Sequence, residues 1–233
     1  MERIERSKLI ALVKEKGDVS GYDLSGMNLR SLDLIAVQFK SCNLHGADLS
    51  RSNLSMSNFD DADLSNCNMS SSNFIGASFR KAKLENSDLT FSSFIGSDFT
   101  EANLKKTNFT NSTISSAIFH KADLSGANLQ MTEAVLIRME NATLQKVNAF
   151  GSSMIGADFS GANLQGAMLH GTDLAGANLS SADLREATFI ETVLIAANLK
   201  NADLRGALKK NVEMQRARLE GSKMDDAGEQ TPQ

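Results

Sequence analysis

The chain has 233 residues and a formal net charge of -4, with 41% hydrophobic and 22% charged residues. That length can bury a substantial core, and so even a charge balance argues against a basic nucleic-acid binder and against an acidic disordered chain. Proline occurs once, tryptophan is absent and aromatic residues make up only 6%, so the fold must be one that excludes proline at nearly every position.

Residues 1–19 come first. Across residues 2–16, Ile4, Leu9, Leu12 and Val13 fall on one helical face and Gly17 supplies a stop, which predicts an N-terminal capping helix. The apolar run from Leu9 to Val13 is too short, and its flanks too mixed in charge, for a signal peptide. Nowhere is there a run of roughly eighteen apolar residues, as a membrane span needs, so the expected location is the cytoplasm and no membrane contact is expected.

From Leu24 to Met224 every fifth residue is large and apolar: 38 of 41 positions hold Leu, Phe, Met or Ile, without insertion or deletion. The residue two places earlier is small, mostly Ala, Ser or Thr. The residue between them is often Asp or Asn, as in Ala47-Asp48-Leu49 and Ala162-Asn163-Leu164. Of the 16 glycines, 14 fall two places after the large residue. A period of five holds one face of neither a helix nor a long strand. The chain must turn within each repeat: a short extended piece points its small and large residues the same way, and a turn follows where Gly, Asn and Ser are tolerated.

A slower period counts the repeats per coil. Leu occupies 24, 44, 64 and every twentieth residue to 204, and Phe occupies 39, 59, 79, 99, 119 and 159. Twenty residues therefore make one coil, and like side chains stack on like inside a four-sided parallel β-solenoid over 20–224. About ten coils at strand spacing give a rod roughly 50 Å long.

Two stretches depart from the pattern. Ala134 and Ala149 replace the large residue while Leu136 and Phe150 occupy outward positions; a local bulge that turns Leu136 and Phe150 inward is expected, with a displayed loop as the alternative. Near the end, Lys209 takes a core position before Val212/Met214, Ala217/Leu219 and Ser222/Met224 resume the register. A frayed last coil over 208–224 is expected, a short helix through Leu208, Val212 and Leu219 being the alternative. Residues 225–233 read as a disordered tail.

Candidate chemistry is sparse. His45, His120 and His170 are separated by non-multiples of twenty, so they lie on different sides and make no metal site. Cys42 and Cys67 take small interior positions on adjacent sides and read as buried core residues. No phosphate loop, Cys-X-X-Cys pair or nucleophile motif occurs, so neither catalysis nor a cofactor is expected. The Asp residues before the large position read as partners of the turn backbone, and Asp61, Lys81, Glu101 and Lys121, at twenty-residue steps, as stacked cross-strand ion pairs.

One outward column stands apart. Directly after the core position come Ile35, Ile75, Ile95, Val135, Ile155, Ala175 and Ile195, interrupted by Ser55 and Ser115, and this face carries no Lys or Arg before Arg216. Ile35, Ile75, Ile95, Val135, Ile155 and Ile195 are the expected partner-binding residues of a flat apolar face, through which the protein dimerises or holds a protein partner.

The grammar Ala-(Asp/Asn)-Leu-X-X closely resembles the pentapeptide repeat family over about 20–224. The resemblance implies an all-β fold, a right-handed quadrilateral parallel β-helix, and so adds a hand to the four-sided solenoid. Its known members include bacterial quinolone-resistance and self-protection proteins that resemble a DNA duplex and bind DNA gyrase or topoisomerase IV, and secreted effectors. Type II topoisomerase inhibition by DNA mimicry is thus one alternative function, and a secreted effector another. Residues 22–224 hold 21 acidic against 19 basic residues, a net of -2, far short of a duplex-like field.

Overall fold

The computed structural model describes residues 1–225. Residues 226–233, most of the stretch expected to be disordered, lie outside the described residues; Asp225 lies within them and accepts the Gly206 N–H at 2.8 Å. The helix α1 runs from Arg6 to Lys16 and ends at Gly17, whose left-handed φ of 64° carries its N–H back to the Val13 carbonyl. Leu9 is fully buried beneath it, and Ile10, Leu12 and Val13 pack against the core from above.

Residues 2–5 differ from the helical expectation. They are extended: Arg3 pairs in parallel with Asp23, and the Glu2 carbonyl accepts the Asp23 N–H at 2.8 Å. The first coil has an open edge whose N–H and C=O groups need partners. Extended residues supply them where a helix could not, so the cap is a strand-like segment followed by α1.

Below the cap, parallel bridges run from Asp18↔Gln38 to Asp203↔Lys223, each advancing twenty residues. From Val37 to Leu204 the small and large positions are buried and the residue between them is not, as alternation along an extended piece requires. Each side is so short that its ladder is one residue wide. It broadens to a strand pair among the described residues at β1 (Thr188–Ile190) and β2 (Leu208–Lys210), in the register Phe189↔Lys209. No helix among the described residues is long and apolar enough to cross a membrane.

The core is a set of columns. Phe39, Phe59, Phe79, Phe99 and Phe119 stack nearly parallel with centroids 4.6–4.9 Å apart, and Phe74 and Phe94 make a second stack that meets the first at steep angles. Such ring pairs add to the burial of large apolar surface.

At every corner the residue two places after the large one has a left-handed φ. It is often Gly, as at Gly76, but also Phe91 at 56°, Met131 at 54° and Leu136 at 55°. The turn therefore tolerates more than the expected Gly, Asn and Ser, at a cost of about 1–2 kcal/mol per non-glycine residue.

The bulge expected near Ala134 and Ala149 is absent. Both alanines are buried, while Leu136 and Phe150 are 60% and 51% exposed. The bridges Glu133↔Ser153 and Asn148↔Met168 pass through without a break. Turning Leu136 inward would sacrifice ladder bonds on both neighbouring coils, whereas Ile137 and Val147, larger residues at the small positions, are buried nearby and occupy interior volume the alanines leave. The last coil is likewise regular: Val193↔Glu213 and Asn198↔Arg218 are bridged, so 208–224 form neither a helix nor a frayed end. Lys209, half-buried, follows Phe189 in its column, where its aliphatic stem can cover the ring while the ammonium reaches water.

Candidate interaction face

The four sides of the rod share one grammar but not one chemistry. On the side that starts at Ser52–Leu54 and repeats every twenty residues to Thr192–Leu194, the small interior position is a hydroxyl in every coil, and each is buried. We call this the serine side. Its hydroxyls reach across coils: Ser72 Oγ donates to the Leu49 carbonyl at 2.9 Å, Ser92 Oγ to Met69 at 2.8 Å and Thr172 Oγ1 to Ala149 at 2.8 Å. They also accept, Ser52 N–H donating to Ser72 Oγ at 3.2 Å and Ser72 N–H to Ser92 Oγ at 3.0 Å.

Half a turn away lies the alanine side, with Ala62, Ala82, Ala102 and Ala122 at the same position. There the backbone closes its own turns, Ala82 N–H donating to the Phe79 carbonyl at 3.1 Å and Ala102 N–H to Phe99 at 2.9 Å. On the serine side the hydroxyl of the next coil takes the N–H of Ser52 and Ser72 instead. A shallow open groove, lined by Arg51, Asn53, Ser71, Asn73, Phe91 and Asn111, lies along these turns.

Outward side chains on the serine side alternate with the buried ones. Ile35, Ile75, Ile95 and Ile155 are 40–49% exposed, and Val135 and Ile195 are half-buried. The column is continuous, because the Ile75, Ile95 and Ile155 carbonyls accept the N–H groups of Met56, Gly76 and Leu136 in the preceding coil at 2.9–3.0 Å. Sequence reasoning missed the other edge of this face, where Phe91 and Met131 are 64% and 57% exposed. The signal was available: both sit at the turn position that Gly, Asn and Ser usually take, so a bulky side chain there is bound to project. Gly151 makes room for Met131, since a Cβ on it would stand 2.8 Å from the Met131 sulfur.

Charge follows the same division. Ion pairs of the solenoid lie on the other sides and their corners: Arg80–Asp98 at 3.0 Å, Lys105–Asp123 at 3.2 Å and Arg185–Asp183 at 2.6 Å. Arg51, Glu133 and Asp173, on the serine side, make no ion pair among the described residues. The stacked pairs expected of Asp61, Lys81, Glu101 and Lys121 do not form either; all four have left-handed φ at the corners, and Lys and Arg instead reach aspartates on the flat sides.

The aspartates before the large residue act as expected. Asp48 Oδ1 accepts the Ser50 N–H at 2.9 Å, Asp98 the Thr100 N–H at 2.8 Å and Asp173 the Ala175 N–H at 2.9 Å. These bonds hold the Asp18 and Asp23 carboxyls below the usual range, through Ser20 and the Ser25 N–H respectively. Asp183, bonded by Arg185, is lowered too, and Asp203, bonded by Arg205, is lowered to about 2. Cys42 and Cys67 are buried, with Sγ 2.9 Å from the Val19 carbonyl and 3.0 Å from the Leu44 carbonyl. Desolvation pushes their thiols up to about 11 and about 12, which leaves them unreactive. Among the described residues no group of His, Cys, Asp and Glu is arranged to hold a metal ion; the nearest partner of His45 is Ser65 Oγ, at 2.9 Å.

Comparison with known proteins agrees with this architecture. The profile for pentapeptide repeats matches in 8 copies, over residues 20–55, 57–90, 92–130, 142–180 and 172–208. No curated protein sequence matches significantly. Among solved structures, the chain is similar to HetL, a pentapeptide repeat protein involved in heterocyst differentiation regulation from the cyanobacterium Nostoc sp. strain PCC 7120, at 23% identity over 97% of this chain and 99% of that one, with a TM-score of 0.62. It is also similar to QnrB1, a plasmid-mediated fluoroquinolone resistance protein, at 19% identity over 90% and 89% of the two chains, TM-score 0.45. A pentapeptide repeat protein of the Arabidopsis thaliana thylakoid lumen matches at 36% identity over 36% of this chain and 59% of that one, TM-score 0.36.

Proposed function

The chain belongs to the pentapeptide repeat family, whose fold is a right-handed β-helix, and we propose that it works as a non-enzymatic protein-interaction scaffold: a rigid rod of about ten coils, capped at its N-terminal end, that engages a protein through its serine side. The observation that carries this reading is the column of Ile35, Ile75, Ile95 and Ile155, each at least 40% exposed, on outward columns that carry no Lys or Arg before Arg216, with Arg51 at the opposite edge of the side. Isolated surface isoleucines need no explanation, but a column of stacked apolar residues, interrupted only by Ser55 and Ser115 and without gatekeeping charges, invites association. The strained Phe91 and Met131 add to it, since left-handed backbone under bulky residues is retained where display repays the strain. With its aspartates tied into turns and its ion pairs placed on the other sides, the rod lacks the dense negative field that DNA mimicry needs, so topoisomerase inhibition is the weaker reading. Two buried free thiols suit a cytoplasmic setting.

The experiment is a comparison of wild type with the double variant Ile75→Lys/Ile95→Lys, by light scattering and by pull-down from the cell of origin. The variant is expected to keep its circular dichroism and melting temperature and to lose its partner or self-association. Equal mass and equal recovery of partners for the two proteins would overturn the reading.

A further inference from the structure

The partner of this face is identified by its own symmetry. We infer that it is a second copy of the chain, laid face to face and antiparallel, with the two-fold axis through the coil that carries Asn111, Thr113 and Ser115. This rests on the interaction reading of the serine side and goes beyond it by naming the occupant.

Two flat faces related by a two-fold axis meet in one of two ways. An axis along the rod makes the rods parallel and apposes each outward residue of the middle column with itself. Asp33 would meet Asp33, Glu133 would meet Glu133 and Asp173 would meet Asp173, like charges in a desolvated contact. An axis across the rod makes the rods antiparallel and apposes each column with its own reverse.

The reversed columns fit. Read in coil order, the isoleucine column is Ile35, Ser55, Ile75, Ile95, Ser115, Val135, Ile155, Ala175, Ile195, which in apolar and small residues reads alike from both ends about Ser115. Reversal about that coil sets Ile35 against Ile195, Ile75 against Ile155 and Ile95 against Val135. Shifting the axis by half a coil in either direction sets isoleucines against serines or alanine. On the opposite edge the same axis sets exposed Phe91 against exposed Met131, a ring and a thioether that attract, and Ser71 against Gly151.

The charges agree independently. Arg51 and Asp173 make no ion pair among the described residues and, six coil steps apart, stand about 29 Å from each other along the rod. The antiparallel axis sets Asp173 opposite Asn53, next to Arg51 of the other copy, twice per dimer. Glu133 falls opposite Ser93, while Asp33 falls opposite Val193 and beside Glu191 of the other copy, a like-charge approach at each end of the contact.

Three measurements test this on the full chain. Light scattering of the wild type at micromolar concentration should give twice the chain mass. Arg51→Asp and Asp173→Arg should each weaken the dimer several-fold, and the double exchange should restore it, because the pair is re-formed across the axis. A single outward Cys on the axis, Thr113→Cys, should cross-link copy to copy with a short bis-maleimide, while Ser153→Cys, about 19 Å from its own symmetry mate along the rod, should not; Cys42 and Cys67 are buried and leave the reaction clean. Dimers in which Ser153→Cys cross-links as readily as Thr113→Cys would overturn the antiparallel register. A monomeric wild type would overturn self-pairing outright. If that monomer still held another protein that Ile75→Lys/Ile95→Lys releases, the interaction face would stand and only its occupant would change; if nothing were held, both readings would fall.

Discussion

The serine side and the alanine side are built from the same five-residue unit half a turn apart, yet they differ inside and out. The alanine side closes its turns on its own backbone, and carries ion pairs at its surface, such as Lys105–Asp123 and Arg185–Asp183. The serine side gives the Ser52 and Ser72 N–H groups to hydroxyls of the next coil, while Ser112, Thr132, Ser152 and Thr172 still close their turns on backbone, and it exposes isoleucine, phenylalanine and methionine with few charges. A repeat fixes the shape of a rod, and the choice of residue on each side then assigns one side to solvent and another to contact. Four changes break or sharpen that contrast.

The largest effect is expected where the sides do not differ. Phe99 lies in the middle of the shared phenylalanine column, 4.7 Å from Phe79 and 4.6 Å from Phe119, and Phe99→Ala should cost about 3–5 kcal/mol because rigid coils cannot close over the cavity. A thermal or denaturant melt measures it.

Ser72→Ala tests the interior of the serine side. It removes the acceptor of the buried Ser52 N–H and the donor to the Leu49 carbonyl, so a loss of about 1–3 kcal/mol is expected. Were alanine neutral there, as it is natural at Ala82, the hydroxyl ladder would be incidental.

Phe91→Gly separates display from stability. Relief of a left-handed φ should raise stability by about 1 kcal/mol, while association through the serine side weakens. A variant that is both more stable and less associated is the signature of a residue kept for contact.

Acid should act on turns of the alanine side and of the side that precedes it. Asp18, Asp23, Asp183 and Asp203 have folded values below their unfolded ones, so their contribution is present above the unfolded value near 3.9 and is lost as pH falls toward about 2, where Asp203 titrates. Melting temperature should be level from neutral pH to about 5 and decline below about 4.

Much of this was legible in the sequence because the repeat is local. The alternation that buries Leu84 and exposes Lys83, and the turn that follows, lie within five residues, and the twenty-residue stacking of Phe79 on Phe99 is a count. The rest depends on neighbours from other coils. Residues 2–5 are extended because the first coil's edge needs partners. Leu136 and Phe150 stay outside because the coils above and below hold their backbones. Small positions taken together read as a mixture of Ala, Ser and Thr; only when sorted by coil do the hydroxyls fall on one side. The isoleucine column was visible because it repeats, whereas Phe91 and Met131 were missed because each is a single departure from a tolerant turn.

The central claim is that one side of an evenly built rod makes the contact. The most direct test places the same charge on opposite sides, Ile75→Lys/Ile95→Lys on the serine side and Asn43→Lys/Asn103→Lys on the alanine side, and measures molecular mass and partner recovery for each against the wild type. The first pair should abolish association and the second should leave it intact, with similar melting temperatures throughout. Equal effects from the two pairs, or none from either, would contradict the claim.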